Sequence, residues 1–409
     1  MAKKQKRIKP KEVPTKRQLS RWQRERRMRR IIMSVAAVFL AGIIGYVCYG
    51  YYDSKVKPLH GIVIEVNDTS FNMDYYVKML DTQTRDMEPT YVYYMTDQVA
   101  RYIEDAELMK QGADDLGIVV TTQEIDEEIE RNELPNDDKI YRDIIRASLL
   151  GEKLQRYFNS TLPDTMEQAH VRVMLVESQE VADEVIAEIE SGGNFTALVE
   201  QFSCNPQIKG DLGWLPKELM PNSSIEEAAF SLEPNELSTI YDDSATKSVG
   251  YWLIEVTERD EEEGIKARAM LLSNKQEAQE VKAKLDIGGN FTALARDLSQ
   301  HPSKNNGGEL GWLKQGDMGS EAFDKVAFNL TLNEVSQPVK DESIQTKSGY
   351  WIIKLLEKGK HELSEEVRQK LANNNFVEWL QEQRENSTIN NYLDEEKKGW
   401  AVEKVLKGR

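Results

Sequence analysis

Apolar residues along the chain follow three patterns, and each pattern predicts a different kind of structure. Residues 31–52 form an uncharged run whose length, at about 1.5 Å per residue, matches the apolar core of a bilayer. In the region that follows, apolar side chains at helical spacing, such as Val92 and Met95, predict amphipathic helices. Later, short apolar segments such as residues 171–176 predict buried strands. The sequence therefore predicts an α+β protein preceded by one membrane-spanning helix.

The charges around the uncharged run predict its orientation. Residues 1–30 hold 14 Lys and Arg against two Glu, although the whole chain carries a net charge of −17. Basic flanks stay in the cytoplasm, and aromatic residues such as Tyr51 and Tyr52 favour the opposite interface. We expect a basic cytoplasmic tail over 1–30, a transmembrane helix over 31–52, and a bulk of the chain that is extracytoplasmic. A cleaved signal peptide is the alternative, but no small-residue cleavage pattern follows the run.

Composition excludes several classes of function. The acidic body of the chain argues against nucleic acid as a partner. The two cysteines, Cys48 in the apolar run and Cys204, predict no disulfide framework, and the four His show no metal-ligand spacing. Motifs for phosphate binding, serine hydrolysis and zinc proteolysis are missing from the sequence. We therefore expect no cofactor and no metal.

The chain contains an internal repeat. Three words recur in the same order with offsets of 96, 98 and 99 residues: "GGNFTAL" at 192 and 288, "GDLGW" and "GELGW" at 210 and 308, and "GYW" at 250 and 349. One unit spans roughly 168–258 and the other 264–358. The acidic segments 258–264 and 357–366 are interpreted as solvated linkers.

Each repeat shows the same order of elements. An opening strand leads into a helix that "GGN" ends, because glycine readily adopts positive φ. A second helix, a glycine-rich turn, a third helix and the final strand "GYWLIEV" or "GYWIIKL" follow, with room for one more strand. Ahead of the repeats, "TTQE" at 121–124 predicts a capping box for a helix.

The words of the second repeat resemble those of the parvulin family of peptidyl-prolyl cis-trans isomerases: "FTALA", "GGELGW", "AFDKVAF", "NEVS" and "GYWIIKL". The surrounding chain resembles the SurA/PrsA class of foldases and its membrane-anchored relatives. The resemblance implies a helical chaperone domain over 60–165 and parvulin-like domains over 168–258 and 264–358. It also implies a C-terminal helical segment, 363–409, that packs back onto the chaperone domain.

The resemblance implies a proline-binding pocket in each repeat. In the second repeat the pocket residues of the family match Leu310, Met318, Phe323 and Phe328. In the first they match Leu212, Met220, Ile225 and Phe230, so that one aromatic residue is lost. Ordinary core packing is the alternative interpretation of all these apolar side chains.

The polar residues depart from the family pattern. Active parvulins carry a His on the first strand, where this chain has Val173 and Ala269. They carry another on the last strand, where Trp252 and Trp351 stand and are assigned to peptide binding. The opening strands have therefore lost their titratable residue. His170 lies near the first strand and is interpreted as an exposed residue.

Two other residues are candidates for catalysis. The position of the family's Asp or Cys falls on His301 in the second repeat and loosely on Asn205, beside Cys204, in the first. Ser348 matches a small polar residue that some members carry. We therefore assign a catalytic role to His301 and Ser348.

Three functions remain open from the sequence. The first is a membrane-anchored prolyl isomerase that assists the folding of exported proteins. The second is a holdase that binds unfolded or nascent polypeptides with little turnover. The third is a scaffold that docks with the secretion machinery. In each case the partners are polypeptides and one membrane. The second repeat is the working site of the isomerase, whereas the holdase and the scaffold would use both repeats.

Overall fold

The computed structural model describes Met28, Met33 and residues 38–409 except 136, 137, 206 and 209. Labels run in chain order. The helices are α1 (38–51), α2 (Met73–Gln83), α3 (Pro89–Val92), α4 (Thr96–Asp115), α5 (Thr122–Arg131), α6 (Lys139–Thr161), α7 (Gln179–Glu190), α8 (Phe195–Phe202), α9 (Ser223–Ser231), α10 (Lys275–Asp286), α11 (Phe291–Leu298), α12 (Glu321–Ala327), α13 (Glu365–Glu385) and α14 (Glu395–Gly408).

The strands complete a mixed α+β fold. They are β1 (Ile62–Val66), β2 (Thr69–Asn72), β3 (Thr165–Val176), β4 (Asp211–Leu215), β5 (Leu237–Lys247), β6 (Gly250–Asp260), β7 (Gly264–Leu272), β8 (Glu309–Leu313), β9 (Val339–Asp341), β10 (Thr346–Glu362) and β11 (Ile389–Asn391). The chain divides into two compact units, Met1–Tyr157 with Asn375–Arg409, and Phe158–Asn374.

The predicted membrane span is only partly described. Of residues 31–52, those at 31, 32 and 34–37 lie outside the described residues, as does the predicted basic tail apart from Met28. Within the part of the chain that the structure describes, no helix has both the length and the apolar character needed to cross a membrane.

The first unit is mainly helical around a small sheet. Strand β1 lies between β2 and β11 and is antiparallel to both, so the C-terminal segment contributes an edge strand. Ala401 and Val405 of α14 lie in the same core as Val63 of β1 and Tyr76 of α2. The predicted capping box is confirmed, because the side chains of Thr121 and Glu124 each accept from the other's backbone N–H.

The second unit contains two four-stranded antiparallel sheets among the described residues. The first sheet has the order β4–β3–β10–β5, and the second sheet has the order β8–β7–β6–β9. Strand β10, the last strand of the second repeat, therefore lies in the first sheet. Strand β6, the last strand of the first repeat, lies in the second sheet. The two repeats exchange their final strands.

The pairing of residues between strands shows that β10 in the first sheet and β6 in the second sheet occupy equivalent positions. In the first sheet Ile353 of β10 pairs with Val173 of β3, and in the second sheet Ile254 of β6 pairs with Ala269 of β7. These four side chains are completely buried. Because "GYWLIEV" and "GYWIIKL" place apolar residues at the same positions, each strand fits the sheet of the other repeat.

The sequence suggested that the two acidic segments are solvated linkers, and this prediction was wrong. Residues 258–260 end β6, and only a three-residue turn separates them from β7 at Gly264. Residues 357–362 continue β10, where they pair with Thr165–His170 of β3. Charged side chains in these strands project from sheet margins that water reaches, so a high charge density does not prevent pairing there.

Candidate functional site

An aromatic cluster forms on the second sheet around Trp252. The indole ring lies 5.3 Å from the ring of Phe323 and 5.3 Å from the imidazole of His301, both in edge-on contact. Trp252 and Phe323 are 0% exposed. The sequence had assigned Trp252 to the first repeat, and the strand exchange carries it into contact with residues of the second.

A carboxylate fixes the orientation of this indole. The Trp252 N–H donates to Oδ2 of Asp341 at 3.0 Å, and the Ser320 hydroxyl donates to the same oxygen at 2.5 Å. The other oxygen accepts from the backbone and the hydroxyl of Ser343. Burial acts to raise the pKa of Asp341, but hydrogen bonds from Ser320, Ser343 and Trp252 outweigh it and leave this pKa below its usual value.

The first sheet repeats this arrangement. The Trp351 indole N–H donates to Oδ2 of Asp242 at 2.9 Å, and Oδ1 of Asp242 accepts from the backbone and hydroxyl of Ser244. Neither aspartate was among the site residues predicted from the sequence. They were detectable, because Asp242 and Asp341 each stand ten residues before the tryptophan of their own repeat.

The apolar residues predicted for the pockets divide into a buried floor and a half-buried rim. Phe323, Ile225 and both tryptophans are buried. The rim residues pack against the same cores and retain partial exposure: Leu310, Met318 and Phe328 on the second sheet, and Leu212, Met220 and Phe230 on the first. A ligand on either sheet would therefore meet the rim and would not reach the floor without a rearrangement.

His301 is held as a neutral imidazole. The backbone N–H of Ser303 donates to Nδ1 of His301 at 3.2 Å, and the Ser303 hydroxyl lies 2.9 Å from the same nitrogen. Because a backbone N–H can only donate, Nδ1 is the acceptor and the ring proton belongs on Nε2. Burial lowers the pKa of His301, which also favours the neutral form.

The structure places Ser348 in a different network. Its hydroxyl lies 2.6 Å from the hydroxyl of Ser273, and its carbonyl accepts from the Lys247 ammonium. Its backbone adopts a φ of 72°. The hydrogen bonds of Ser348 thus connect it to Ser273 and Lys247, while those of His301 go to Ser303.

His170 belongs to β3, although the sequence had placed it before the strand. Its Nε2 lies 2.7 Å from a carboxylate oxygen of Asp211, and Arg172 donates to the other oxygen at 3.0 Å. The Trp214 ring lies between His170, at 5.6 Å, and His361, at 3.6 Å. The His170 side chain is 27% exposed, so it is a half-buried, paired residue.

The opening strands hold apolar side chains at the family's histidine positions. Val173 and Ala269 are both 0% exposed and pack into the sheet cores. Among the described residues, no three His, Cys, Asp or Glu side chains are grouped so that they could hold a metal ion. The chemistry available at the second sheet is an apolar surface with one neutral imidazole at its edge.

Comparison with known proteins identifies the family. Residues 164–260 and 259–357 each match a family model described as a PPIC-type PPIASE domain. The foldase protein PrsA of Geobacillus kaustophilus (strain HTA426) is 37% identical over 235 residues, which cover 56% of this chain and 73% of that protein. The chain belongs to the SurA/PrsA family of parvulin-type foldases. Its two parvulin repeats are the two segments that the family models match.

Other members of the SurA/PrsA family are more distant. The chaperone SurA of Methylobacillus flagellatus is 27% identical over 269 residues, and the chain spans 59% of the length of that relative. A crystal structure of the foldase protein PrsA from Streptococcus pneumoniae is 12% identical and covers 82% of each chain, with a TM-score of 0.25.

Proposed function

We propose that this chain is a membrane-anchored extracytoplasmic foldase that binds proline-containing segments of exported polypeptides at the rim of its second sheet. The observation that carries the proposal is the half-buried rim of Leu310, Met318 and Phe328 over the buried pair Trp252 and Phe323. This apolar surface suits the ring of a proline and its neighbours. The match to PPIC-type PPIASE domains supports the same assignment.

Apolar binding is also the chemistry by which such a surface accelerates isomerisation. The barrier to rotation about a peptide bond is about 18–20 kcal/mol, because the planar amide is stabilised by resonance. The twisted amide has lost that resonance and is less polar, so a surface that excludes water favours it over the planar state. His301, with its proton on Nε2, would donate a hydrogen bond to the amide that is being twisted.

A non-catalytic holdase is the second candidate, and one observation favours it. At both positions where active parvulins carry a last-strand histidine, the indole of Trp252 or Trp351 is fixed to a buried aspartate. Unlike a histidine, neither Trp252 nor Trp351 exchanges protons near neutral pH. Client capture would then remain while turnover is lost.

The membrane anchor is supported by the sequence and by the described part of α1. Residues 31–52 carry no charge, and 14 basic residues precede them. The apolar side chains of α1 are largely uncovered, with Val38 and Phe39 each 73% exposed. Exposed apolar side chains along a helix suit a lipid environment.

The test measures both activities with the full chain reconstituted in lipid nanodiscs. We expect acceleration of cis-trans isomerisation in short X-Pro peptides, together with slower aggregation of an unfolded client protein. Slower aggregation without any acceleration would select the holdase. Failure of both assays, with the protein folded, would contradict the proposed function.

A further inference from the structure

The chain segments that lead into the two exchanged strands meet at one crossing, formed by residues 246–250, which join β5 to β6, and residues 346–349, which begin β10. Both segments contain the word "TKS" followed closely by "GYW". They run antiparallel, with Lys247 opposite Thr346 and Thr246 opposite Lys347. The approach is close, because a Cβ on Gly250 would lie 2.7 Å from the side chain of Thr346.

Each sheet offers an equivalent hydrogen-bond acceptor to the tryptophan of its final strand. Trp252 donates to Asp341 and Trp351 donates to Asp242, and these aspartates are equivalent residues of the two repeats. An arrangement in which each repeat kept its own strand would give both tryptophans an equivalent acceptor. Strand pairing within the sheets therefore does not by itself select the exchanged form.

Lys247 makes contacts that depend on the crossing. Its ammonium donates to the Ser273 hydroxyl at 2.7 Å, to the Lys347 carbonyl at 3.4 Å, and to the Ser348 carbonyl. All three acceptors belong to the second repeat, although Lys247 belongs to the first. The residue is 1% exposed, so without these acceptors its charge would lie unsolvated.

The equivalent lysine of the second repeat plays no such part. Lys347 is exposed, and only its backbone takes part in the crossing, where it bonds to the side chain of Gln300. The crossing is thus asymmetric, with one buried cation and one solvated cation at equivalent positions. Lys247 is therefore a buried cation whose hydrogen-bond acceptors belong to the exchanged pairing.

We propose that Lys247 is a positioning residue that holds the final strands in the exchanged arrangement, and so determines which tryptophan lies beside His301 and Phe323. With Lys247 in place, Trp252 occupies that position. Without it, the strands return in part to their own repeats, and Trp351 takes the place of Trp252. The effect on client binding rests on the proposed function, whereas the strand arrangement is measured without any client.

The experiment traps the two arrangements as disulfides in the full chain, with Cys48 and Cys204 replaced by serine. The pair Arg172→Cys and Lys354→Cys reports the exchanged form, because these residues are directly opposite in the first sheet. The pair Arg268→Cys and Lys354→Cys reports the unexchanged form. Arg268 is opposite Glu255 in the second sheet, at the position equivalent to Lys354.

With Lys247 present, we expect cross-linking of residues 172 and 354 and only background cross-linking of residues 268 and 354. Lys247→Met should raise the second cross-link about tenfold, which corresponds to a modest shift between two states. The matched control is Lys347→Met, which should change neither cross-link. An unchanged pattern in folded Lys247→Met, or an equal rise in Lys347→Met, would overturn the proposal.

A second variant keeps the test decisive if Lys247→Met does not fold. Ser273→Ala removes one acceptor and retains the charge, and circular dichroism reports whether it is folded. It should raise the cross-link between residues 268 and 354 by a smaller factor than Lys247→Met. No rise in folded Ser273→Ala would likewise reject a role for this network.

Discussion

Met318 and Met220 stand at equivalent positions of the two repeats, each half-buried at the rim of its sheet. Met318 borders the surface that includes His301, and Met220 borders the one that does not. Met318→Ala removes apolar contact worth about 1.5 kcal/mol, so client-peptide affinity should fall about tenfold. Met220→Ala should leave it nearly unchanged. Fluorescence anisotropy with a labelled proline peptide measures both, and the opposite ranking would move the working site to the first sheet.

Phe323→Ala is a different kind of change, because Phe323 is 0% exposed and contacts Trp252. Removal of a buried Phe side chain costs about 3–5 kcal/mol of folding free energy. Loss of binding in this variant would therefore report unfolding of the second sheet as well as loss of contact. Met318 is the better probe of the surface itself.

The buried ammonium of Lys247 predicts a pH dependence of stability. Burial lowers its pKa from 10.5 to about 8, and Cys204, Glu177 and Glu277 offset this only in part. Between these two values the unfolded chain binds more protons at Lys247 than the native chain does, so the contribution of this residue to the free energy of unfolding should rise with pH. The limiting slope is about 1.4 kcal/mol per pH unit.

Urea unfolding between pH 7.5 and 9.5 checks this sign. The rise should disappear in Lys247→Met, which has no titrating group at the position, and should persist in the control Lys347→Met. A slope of opposite sign in the native chain would mean that the carbonyl acceptors stabilise the charged form more than burial disfavours it.

The apolar residues that the sequence assigned to the site lie together on the second sheet, and their role in peptide binding stays a prediction. Leu310, Met318 and Phe328 pack around the second-sheet core as the family pattern implied. The catalytic roles assigned to His301 and Ser348 remain predictions, and their hydrogen bonds lead into separate networks. Polar partners such as Asp341 depend on which strands meet, and that information is not contained in any one segment.

At the scale of the elements, the opening and closing strands were predicted where they lie, but their pairing was not. Because "GYWLIEV" of β6 and "GYWIIKL" of β10 place apolar residues at the same positions, the pattern of apolar residues cannot distinguish one sheet from the other. Only the contacts at the crossing separate the two possibilities. The acidic strand ends were misread for a related reason, since charge reports exposure and not the absence of a strand.

The exchanged pairing makes a prediction for hydrogen exchange. Ile353 of β10 lies opposite Val173, so Ile353→Ala should reduce amide protection in β3 more than in β7. Removal of such a buried side chain costs about 2–5 kcal/mol, enough to allow local opening. Ile254→Ala, in the equivalent position of β6, should give the reverse pattern. Mass spectrometry of peptic fragments resolves the two strands, and an inverted result would indicate the unexchanged pairing.

At the scale of the whole molecule, the proposed topology places both sheets outside the cytoplasm. Glu261 lies exposed in the turn between β6 and β7, within an uncrowded acidic segment. Glu261→Cys, in a chain without Cys48 and Cys204, should react with a membrane-impermeant maleimide added to intact cells. A cysteine introduced at Ser20, in the basic tail, should react only after the cells are opened. Protection at residue 261 and labelling at residue 20 would invert the orientation.

The exchange of final strands between the two repeats has a consequence for the biosynthesis of the chain. Strands β3, β4 and β5 emerge from the ribosome about 100 residues ahead of β10, which at about 5–20 residues per second is a delay of several seconds. During that interval β6 is the available partner, and it has nearly the same sequence. The exchange seen in the finished protein must therefore displace an earlier hairpin or wait for the complete chain. A factor that helps other polypeptides to fold would itself depend on the timing of its own synthesis.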